Sequence, residues 1–155
     1  MPGLVVRTET EMVKVTLASV PDQPGIAAEL FGRLGADGFN IELMVATGGG
    51  QGRADISFVI KRTELDAVLK VMERMVTELN AKSVSHQPGI SLVGVIGHDL
   101  NKRPGIAGRM FRSLSRRGIN IDMISTSLTS VTCAVDERMI EEAREALEEE
   151  FAADS

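Results

Sequence analysis

The chain has 155 residues, a formal net charge of −5 at pH 7, 43% hydrophobic residues and 25% charged residues. This composition is ordinary for a globular protein and excludes a disordered one, and no stretch approaches the roughly 20 consecutive apolar residues of a membrane span. The acidic balance and the lack of Trp and Tyr argue against a nucleic-acid surface, which needs clustered basic residues.

The N-terminus, Met-Pro-Gly-Leu-Val-Val-Arg-Thr-Glu, lacks the cationic region and apolar core of a secretory signal, so we expect a cytoplasmic protein. A single cysteine, Cys133, excludes an intramolecular disulfide, and its apolar neighbours predict a buried thiol. His86 and His98 have no companion ligands at metal-binding spacing, so neither a metal site nor a cofactor is predicted.

Two parts of the sequence are near copies of each other at an offset of 80 residues. The match begins at Pro24 and Pro104 and continues without a gap to Ile41 and Ile121, with Pro-Gly-Ile-Ala, Phe, Leu, Gly, Asn and Ile at equivalent positions. Self-similarity of this kind indicates a repeated supersecondary unit. The chain is therefore predicted to be a tandem of two units.

Each copy has the same predicted order of elements. A β-branched strand at 13–20 leads through Pro-Gly into an amphipathic helix that stops at Gly38, because glycine suits the left-handed position after a helix. In the second copy the first strand is 90–96 and the helix stops at Gly118. The remaining predicted elements are strands at 39–45, 54–60, 119–124 and 130–135, and helices at 64–79 and 137–151.

This β-α-β-β-α order predicts an α+β fold of two ferredoxin-like βαββαβ domains, at 1–80 and 81–155, with antiparallel sheets and helices on one face. The closing strand is missing after Phe151, since only four residues follow it. Strand-like segments precede each unit, at 4–8 and 81–85. We expect these segments to fill the open sheet edges, and exchange between the halves is one way in which they can do so.

The loop before the first helix, Val-Pro-Asp-Gln-Pro-Gly, has features of a small-molecule site. A helix N-terminus attracts a carboxylate, and Gly25 lets a ligand approach the backbone. Asp22, just before it, is suited to an ammonium group, so the loop is a candidate site for a free amino acid. Equally, Asp22 could cap the helix while Pro24 and Gly25 shape a tight turn.

Several motifs resemble the paired ACT domains in the regulatory part of aspartokinase. They are Val-Pro-Asp-Gln-Pro-Gly-Ile-Ala-Ala-Glu-Leu-Phe from Val20, Phe-Asn-Ile-Glu-Leu from Phe39, Arg-Pro-Gly-Ile-Ala-Gly-Arg-Met-Phe from Arg103 and Gly-Ile-Asn-Ile-Asp-Met-Ile-Ser-Thr-Ser from Gly118. The resemblance covers about Val13 to Phe151. It implies a non-catalytic feedback sensor in which lysine, threonine or both bind between ACT domains of two chains and shift the kinase toward an inactive state.

The resemblance assigns ligand-binding roles to three groups of residues in this chain. The first loop contributes Asp22, Gln23, Pro24, Gly25, Ile26 and Ala27. The strand that follows contributes Asn40, Ile41 and Glu42. The second half contributes Asn120, Ile121, Asp122, Ser125, Thr126 and Ser127. Asn40 and Asn120 have turn formation after a glycine as an alternative role.

The sequence departs from the family pattern at two places. Leu128 follows Ser-Thr-Ser where the family usually has glutamate, and Ala46-Thr47 stands where aspartokinases often have Gln-Asn. The glycine-rich segment 48–52 lacks the lysine and Ser/Thr of a phosphate-binding loop, so we predict a flexible hairpin connection. The effector is therefore left open, and a free-standing sensor of another amino acid remains an alternative.

Two units fill the 155 residues, so no kinase domain is expected within them. The expected partners are a free amino acid and a second copy of the chain, with an aspartokinase catalytic subunit as a further candidate, but neither nucleic acid nor membrane. An alternative from another class is an acylphosphatase-like hydrolase. This enzyme needs a loop arginine and a strand asparagine. Asn40 is available in the first copy, but its loop has no arginine, so only Arg103 with Asn120 in the second copy supplies both. A purely structural dimerisation domain is the third alternative.

Overall fold

The computed structural model describes residues 3–48 and 50–154. Within them the first copy contains β1 (Val5–Pro21), α1 (Ile26–Ala36), β2 (Leu43–Gly48), β3 (Arg53–Lys61) and α2 (Leu65–Glu78). The second copy contains β4 (Ser83–Ile96), α3 (Ile106–Arg116), β5 (Met123–Thr126), β6 (Ser130–Asp136) and α4 (Ile140–Glu150). Short 3₁₀ turns occupy Arg62–Glu64, Leu100–Lys102, Glu137–Met139 and Ala152–Asp154.

The chain forms two compact units, of which one is continuous in sequence and the other combines two segments. The first unit is Met12–Pro88, and the second unit combines Met1–Glu11 with Gly89–Ser155. The long strands β1 and β4 each contribute one part to either unit. The contiguous division at 80/81 that the repeat suggests therefore differs from these boundaries, because the short segments before each repeat belong to the unit of the other repeat.

Each unit has the strand order of a ferredoxin-like fold. In the first unit the hydrogen-bonded order is β2-β3-β1-β4, and in the second it is β1-β4-β6-β5. The pairs β1–β3, β2–β3, β4–β6 and β5–β6 are antiparallel. The closing strand of the first unit comes from the start of β4 and that of the second from the start of β1. The predicted α+β class is confirmed, and the leading segments occupy the edges that the repeats leave open.

The core of each unit lies between its two helices and one sheet face. In the first unit Leu30 and Leu34 of α1 and Met72 of α2 pack with inward residues of β1 and β3, including Val15 and Phe58. All five side chains are fully buried. Since alternate strand residues point to opposite faces, the β-branched and apolar alternation of β1 and β3 places one row of side chains under the helices.

The second unit repeats this arrangement with different residues. Met110 and Leu114 of α3 and Leu147 of α4 pack on Val93 and Cys133 of the sheet. Cys133 is fully buried, as the sequence predicts, and burial raises the pKa of its thiol to about 12. A thiol of this kind is a packing group, because the reactive thiolate does not form near neutral pH.

Both first helices end at a left-handed glycine. Gly38 has φ 84° and Gly118 has φ 69°. In each case the next residue closes the turn, since the Phe39 amide donates to the Leu34 carbonyl at 2.9 Å and the Ile119 amide to the Leu114 carbonyl at 3.0 Å. These bonds satisfy carbonyls at the helix end. Among the described residues, none of the helices is long and apolar enough to cross a membrane.

Candidate ligand-binding site

The first loop connects β1 to α1 with only four residues, 22–25. Its backbone is fixed against the β2–β3 hairpin, since the Asp22 amide donates to the Gly52 carbonyl at 2.8 Å. Within the loop the Gln23 amide donates to the Pro21 carbonyl at 3.0 Å and the Ile26 amide to the Gln23 carbonyl at 3.4 Å. The hairpin tip includes Gly49, which lies outside the described residues, so the predicted flexibility of 48–52 stays a prediction.

Gly25, rather than Asp22, is the N-cap residue of α1. Gly25 has φ 94°, a left-handed conformation that disfavours any residue with a Cβ, and in the described chain no side chain caps the helix. The interpretation of Asp22 as the cap is therefore wrong. A helix start without a side-chain cap leaves backbone N–H groups and the positive end of the helix dipole facing outward.

Asp22 lies beside this helix start and next to the hairpin. Its side chain is exposed, and Oδ2 lies 3.9 Å from the position that a Cβ at Gly48 would take. Within residues 3–48 and 50–154, the Asp22 carboxylate has no hydrogen-bond or ion-pair partner. The loop therefore presents hydrogen-bond donors for an anion and a carboxylate for a cation, and a free amino acid carries both groups.

Three predicted residues lie between α1 and β2, not within the strand. β2 begins at Leu43, because the glycine turn at the end of α1 uses the residues that the pattern assigned to a strand. Asn40 Nδ2 donates to Glu42 Oε1 at 3.1 Å, and the Glu42 amide donates to the Val59 carbonyl at 3.0 Å. Ile41 packs partly on the core of the first unit, which leaves Asn40 as the exposed polar group of the three.

The corresponding loop of the second unit is built differently. It runs over 97–105, nine residues, and contains the 3₁₀ turn that buries Leu100. Its acid, Asp99, directly precedes that turn with φ 54°, and Asp99 Oδ2 lies 3.4 Å from His98 Nε2. Gly105 caps α3 with φ 90°, as Gly25 caps α1. The backbone at the two helix starts is alike, but only the first loop has an acid two residues before the proline of its Pro-Gly.

The second-half residues divide between the approach to β5 and the β5–β6 hairpin. Asn120 is exposed, Ile121 packs partly on the second core, and the Asp122 amide donates to the Ala134 carbonyl at 2.9 Å. On β5, Ser125 is half-buried and Thr126 is exposed. Asn120, Ile121 and Asp122 precede β5, whose first residue is Met123.

Ser127 has a structural role that the sequence did not predict. Its Oγ lies 2.9 Å from Ser130 Oγ and accepts from the Thr129 amide at 3.2 Å. The Ser127 amide also donates to the Ser130 carbonyl at 2.8 Å. These bonds close the β5–β6 hairpin and place Leu128 at its tip, 68% exposed. These bonds use two of the three hydrogen-bonding positions of the hydroxyl, and the predicted role of Ser127 in ligand binding stays a prediction.

Arg53, Ser19 and Asp55 form a polar group behind the first loop that sequence reasoning missed. Arg53 Nε donates to Ser19 Oγ at 3.0 Å, and the Ser19 amide donates to Asp55 Oδ1 at 2.8 Å. The available signal was an arginine directly after the glycine-rich hairpin. Among the described residues, no group of three His, Cys, Asp or Glu side chains is placed to hold a metal ion.

Comparison with known proteins places both repeats in one family. Models of the ACT domain match residues 14–76 and 93–151. The chain is 31% identical over 142 residues to an aspartate kinase of Pseudomonas fluorescens (strain SBW25), which covers 92% of this chain and 34% of that enzyme. The chain thus spans about a third of the length of the curated relatives that it matches.

Two solved structures match almost end to end. The regulatory subunit of aspartate kinase from Thermus thermophilus superposes with a TM-score of 0.86 at 27% identity, covering 94% of this chain and 96% of that one. A chain from the structure of aspartokinase alpha and beta subunits gives a TM-score of 0.85 at 26% identity, with 95% and 97% coverage. From the two family matches and these superpositions, the chain belongs to the ACT-domain family, as a tandem pair of ACT domains similar to aspartokinase regulatory subunits.

Proposed function

We propose that the chain is a non-catalytic regulatory module that binds a free amino acid and controls an aspartate kinase. The observation that carries this proposal is the first loop, where the exposed Asp22, which has no partner among residues 3–48 and 50–154, lies beside a helix start without a side-chain cap. The carboxylate of an amino acid would bind the amides at the start of α1, and Asp22 would bind its ammonium group.

The proposed effector is lysine or threonine, as the resemblance to aspartokinase implies. The second-half residues assigned to the site would come from a partner chain, in a domain that faces the first loop. Their polar groups would select the side chain of the effector; the residues are Asn120, Ile121, Asp122, Ser125, Thr126 and Ser127. Leu128 replaces the usual glutamate of the family at an exposed hairpin tip. This loss of a charge near the assigned residues supports testing other amino acids beside lysine.

A second copy of the chain is the proposed partner for effector binding. Strand β2 is an edge of the first unit and β5 an edge of the second. Met44 on β2 and Ile124 on β5, which occupy equivalent repeat positions, are 49% and 43% exposed. Open strand edges with exposed apolar side chains favour pairing with another chain. An aspartokinase catalytic subunit is the proposed target, and the cytoplasm remains the expected location.

Titration calorimetry tests this function directly. The purified chain would be titrated at millimolar concentration with lysine, threonine and the other common amino acids, singly and as the lysine–threonine pair. We expect saturable binding of one or two of them, with about one site per loop Asp22. Heats no larger than buffer dilution for every amino acid would contradict the proposal and favour a structural dimerisation role.

A further inference from the structure

Strand β1 has an irregularity directly before the first loop. The register pairs Leu17 with Ile56 and Val20 with Ala54, so Ala18 and Ser19 together lie opposite Asp55. This is a β-bulge, in which one strand has an extra residue and bends. Ser19 has φ 53°, a left-handed conformation that is uncommon for a residue other than glycine.

Side chains of β3 hold this bulge. The Ser19 amide donates to Asp55 Oδ1 at 2.8 Å. Arg53 donates through Nε to Ser19 Oγ at 3.0 Å and through Nη2 to the Ser19 carbonyl and, at 2.7 Å, to the Asn80 carbonyl. The half-buried Arg53 guanidinium therefore joins the bulge to the turn that follows α2. The planar fork of arginine makes these bonds at fixed angles, which a lysine ammonium does not reproduce.

Two adjacent residues, Gly52 and Arg53, hold the first loop and the bulge. Two residues after Ser19 the strand ends, and the next amide, that of Asp22, donates to the carbonyl of Gly52 at 2.8 Å. Gly52 is the neighbour of Arg53 in the chain. The backbone at 52 thus holds the start of the loop, and the side chain at 53 holds the strand that leads into it.

We propose that Arg53 is a positioning residue for the first loop: by holding the bulge at Ser19 it sets where Asp22 and the start of α1 lie. This inference rests on the proposed function, because it takes the ligand of the loop to be a free amino acid. Arg53 acts through the bulge and does not touch the ligand itself. A bulge bends a strand and changes the direction of the residues after it. Releasing the bulge would therefore displace the amide donors at the start of α1 and the carboxylate of Asp22, both of which an amino acid would need.

The test compares Arg53→Ala and Arg53→Lys with a control, Arg33→Ala. Arg33 lies in the same unit and bonds Glu78 at 3.2 Å on the surface, so the control removes the same charge without touching the loop. Amide hydrogen exchange by NMR gives a readout that needs no ligand. In both Arg53 variants we expect the Ser19 and Asp22 amides to exchange about tenfold faster, the effect of roughly one lost hydrogen bond.

The same variants are then titrated with the amino acid that the wild-type protein binds best. We expect Kd to rise about tenfold for Arg53→Ala and for Arg53→Lys, and to stay unchanged for Arg33→Ala. Exchange of the Phe58 amide, in the middle of β3, serves as the reference for global unfolding. Loss of the Arg53 bonds lowers the stability of the folded state, so Phe58 exchange should also rise in both Arg53 variants, by no more than the factor seen at Ser19 and Asp22.

Two outcomes would overturn the inference. One is unchanged exchange at Ser19 and Asp22 in Arg53→Ala, and the other is an unchanged Kd in both Arg53 variants despite faster exchange, which would make Arg53 a general stabilising residue. A wild-type protein that binds no amino acid contradicts the proposed function instead. In that case the exchange of Ser19 and Asp22 still decides whether Arg53 positions the loop.

Discussion

The backbone amide of Leu4 donates a hydrogen bond of 2.8 Å to the carbonyl of Asp154, which joins the two ends of the described chain within the second unit. Arg109 of α3 secures the same end, since its guanidinium donates to Asp154 Oδ2 at 2.8 Å and lies over the Phe151 ring at 4.7 Å. The hydrogen bond from Arg109 holds the pKa of Asp154 below its usual value. The start of β1 is thus an integral part of the second unit.

The Leu4 side chain gives the first prediction. Leu4 is 4% exposed, and its Cδ2 lies 2.3 Å from the position of a Cβ at Gly97. Leu4→Ala should lower the free energy of unfolding by about 2–5 kcal/mol through lost core packing, and Gly97→Ala by about 1–3 kcal/mol through overpacking.

In the double variant the two losses should be smaller than their sum, because the new methyl at position 97 occupies space vacated by Leu4. Urea denaturation of the four proteins measures this coupling. Additive losses would mean that the end of Leu4 moves aside freely and that the two side chains do not compete for one space.

Cys133 gives a prediction with a pH dependence. Burial raises its pKa to about 12 from 9.0, so the folded protein should label with a disulfide reagent at pH 8 only as fast as it unfolds. Because the folded-state pKa is the higher one, this group contributes stability below pH 9 and loses that contribution as pH rises toward 12. Labelling kinetics with and without urea show whether Cys133 reacts only on unfolding, and rapid labelling without denaturant would contradict this expectation.

The repeat made much of the fold predictable. The Pro-Gly-Ile-Ala motif and the glycines Gly38 and Gly118 recur at an offset of 80 residues. They predicted the first helix of each copy and its end, because helix ends depend on local backbone preferences. The four residues after Phe151 were too few for a strand, so the need for edge strands from the leading segments also followed from the sequence.

The rest depends on contacts between distant residues. The bulge at Ser19 exists because Arg53 and Asp55 hold a left-handed serine, and no pattern near Ser19 encodes that arrangement. Likewise β2 begins later than its β-branched pattern suggests, because the turn after Gly38 is completed by a bond back to Leu34. The bond between the Ser127 and Ser130 hydroxyls also depends on the closed β5–β6 hairpin, and it does not test the ligand-binding role predicted for Ser127.

Two exposed apolar residues on the edge strands give a prediction about dimer formation by the chain. Met44 and Ile124 are 49% and 43% exposed at equivalent positions of β2 and β5. We expect the wild-type chain to sediment as a dimer at tens of micromolar, and Met44→Lys or Ile124→Lys to weaken it, because a charge at an edge opposes pairing.

Lys82→Met, an exposed substitution in the turn before β4, is a control for altered charge and hydrophobicity, and it should leave the dimer unchanged. Analytical ultracentrifugation measures all four proteins. A wild-type monomer at these concentrations would contradict the expectation.

The two N-cap glycines offer a matched pair. Gly25 and Gly105 have φ 94° and 90°, and a Cβ at either position would meet nothing within 4 Å. Gly25→Ala and Gly105→Ala should therefore each cost about 1–2 kcal/mol of stability from the left-handed backbone alone. Effector affinity should fall about tenfold more in Gly25→Ala, since its methyl group stands where the carboxylate approaches. Denaturation and calorimetry on the same samples separate the two effects, and equal losses of affinity would contradict the asymmetry between the loops.

The last prediction concerns the charge of Asp22. Its carboxylate has no partner in the described part of the chain and does not cap α1, so Asp22→Asn should change the free energy of unfolding by less than about 0.5 kcal/mol. If Asp22 binds the ammonium group of an amino acid, the same substitution should weaken binding by about 1.5–3 kcal/mol, the range for a hydrogen bond to a charged group. Asp99→Asn is the control, because asparagine tolerates its left-handed backbone while its charge is removed from the longer loop. Calorimetry should show a large loss for Asp22→Asn and little for Asp99→Asn. Equal effects would place the effector elsewhere, since the two acids differ in their position relative to the helix start.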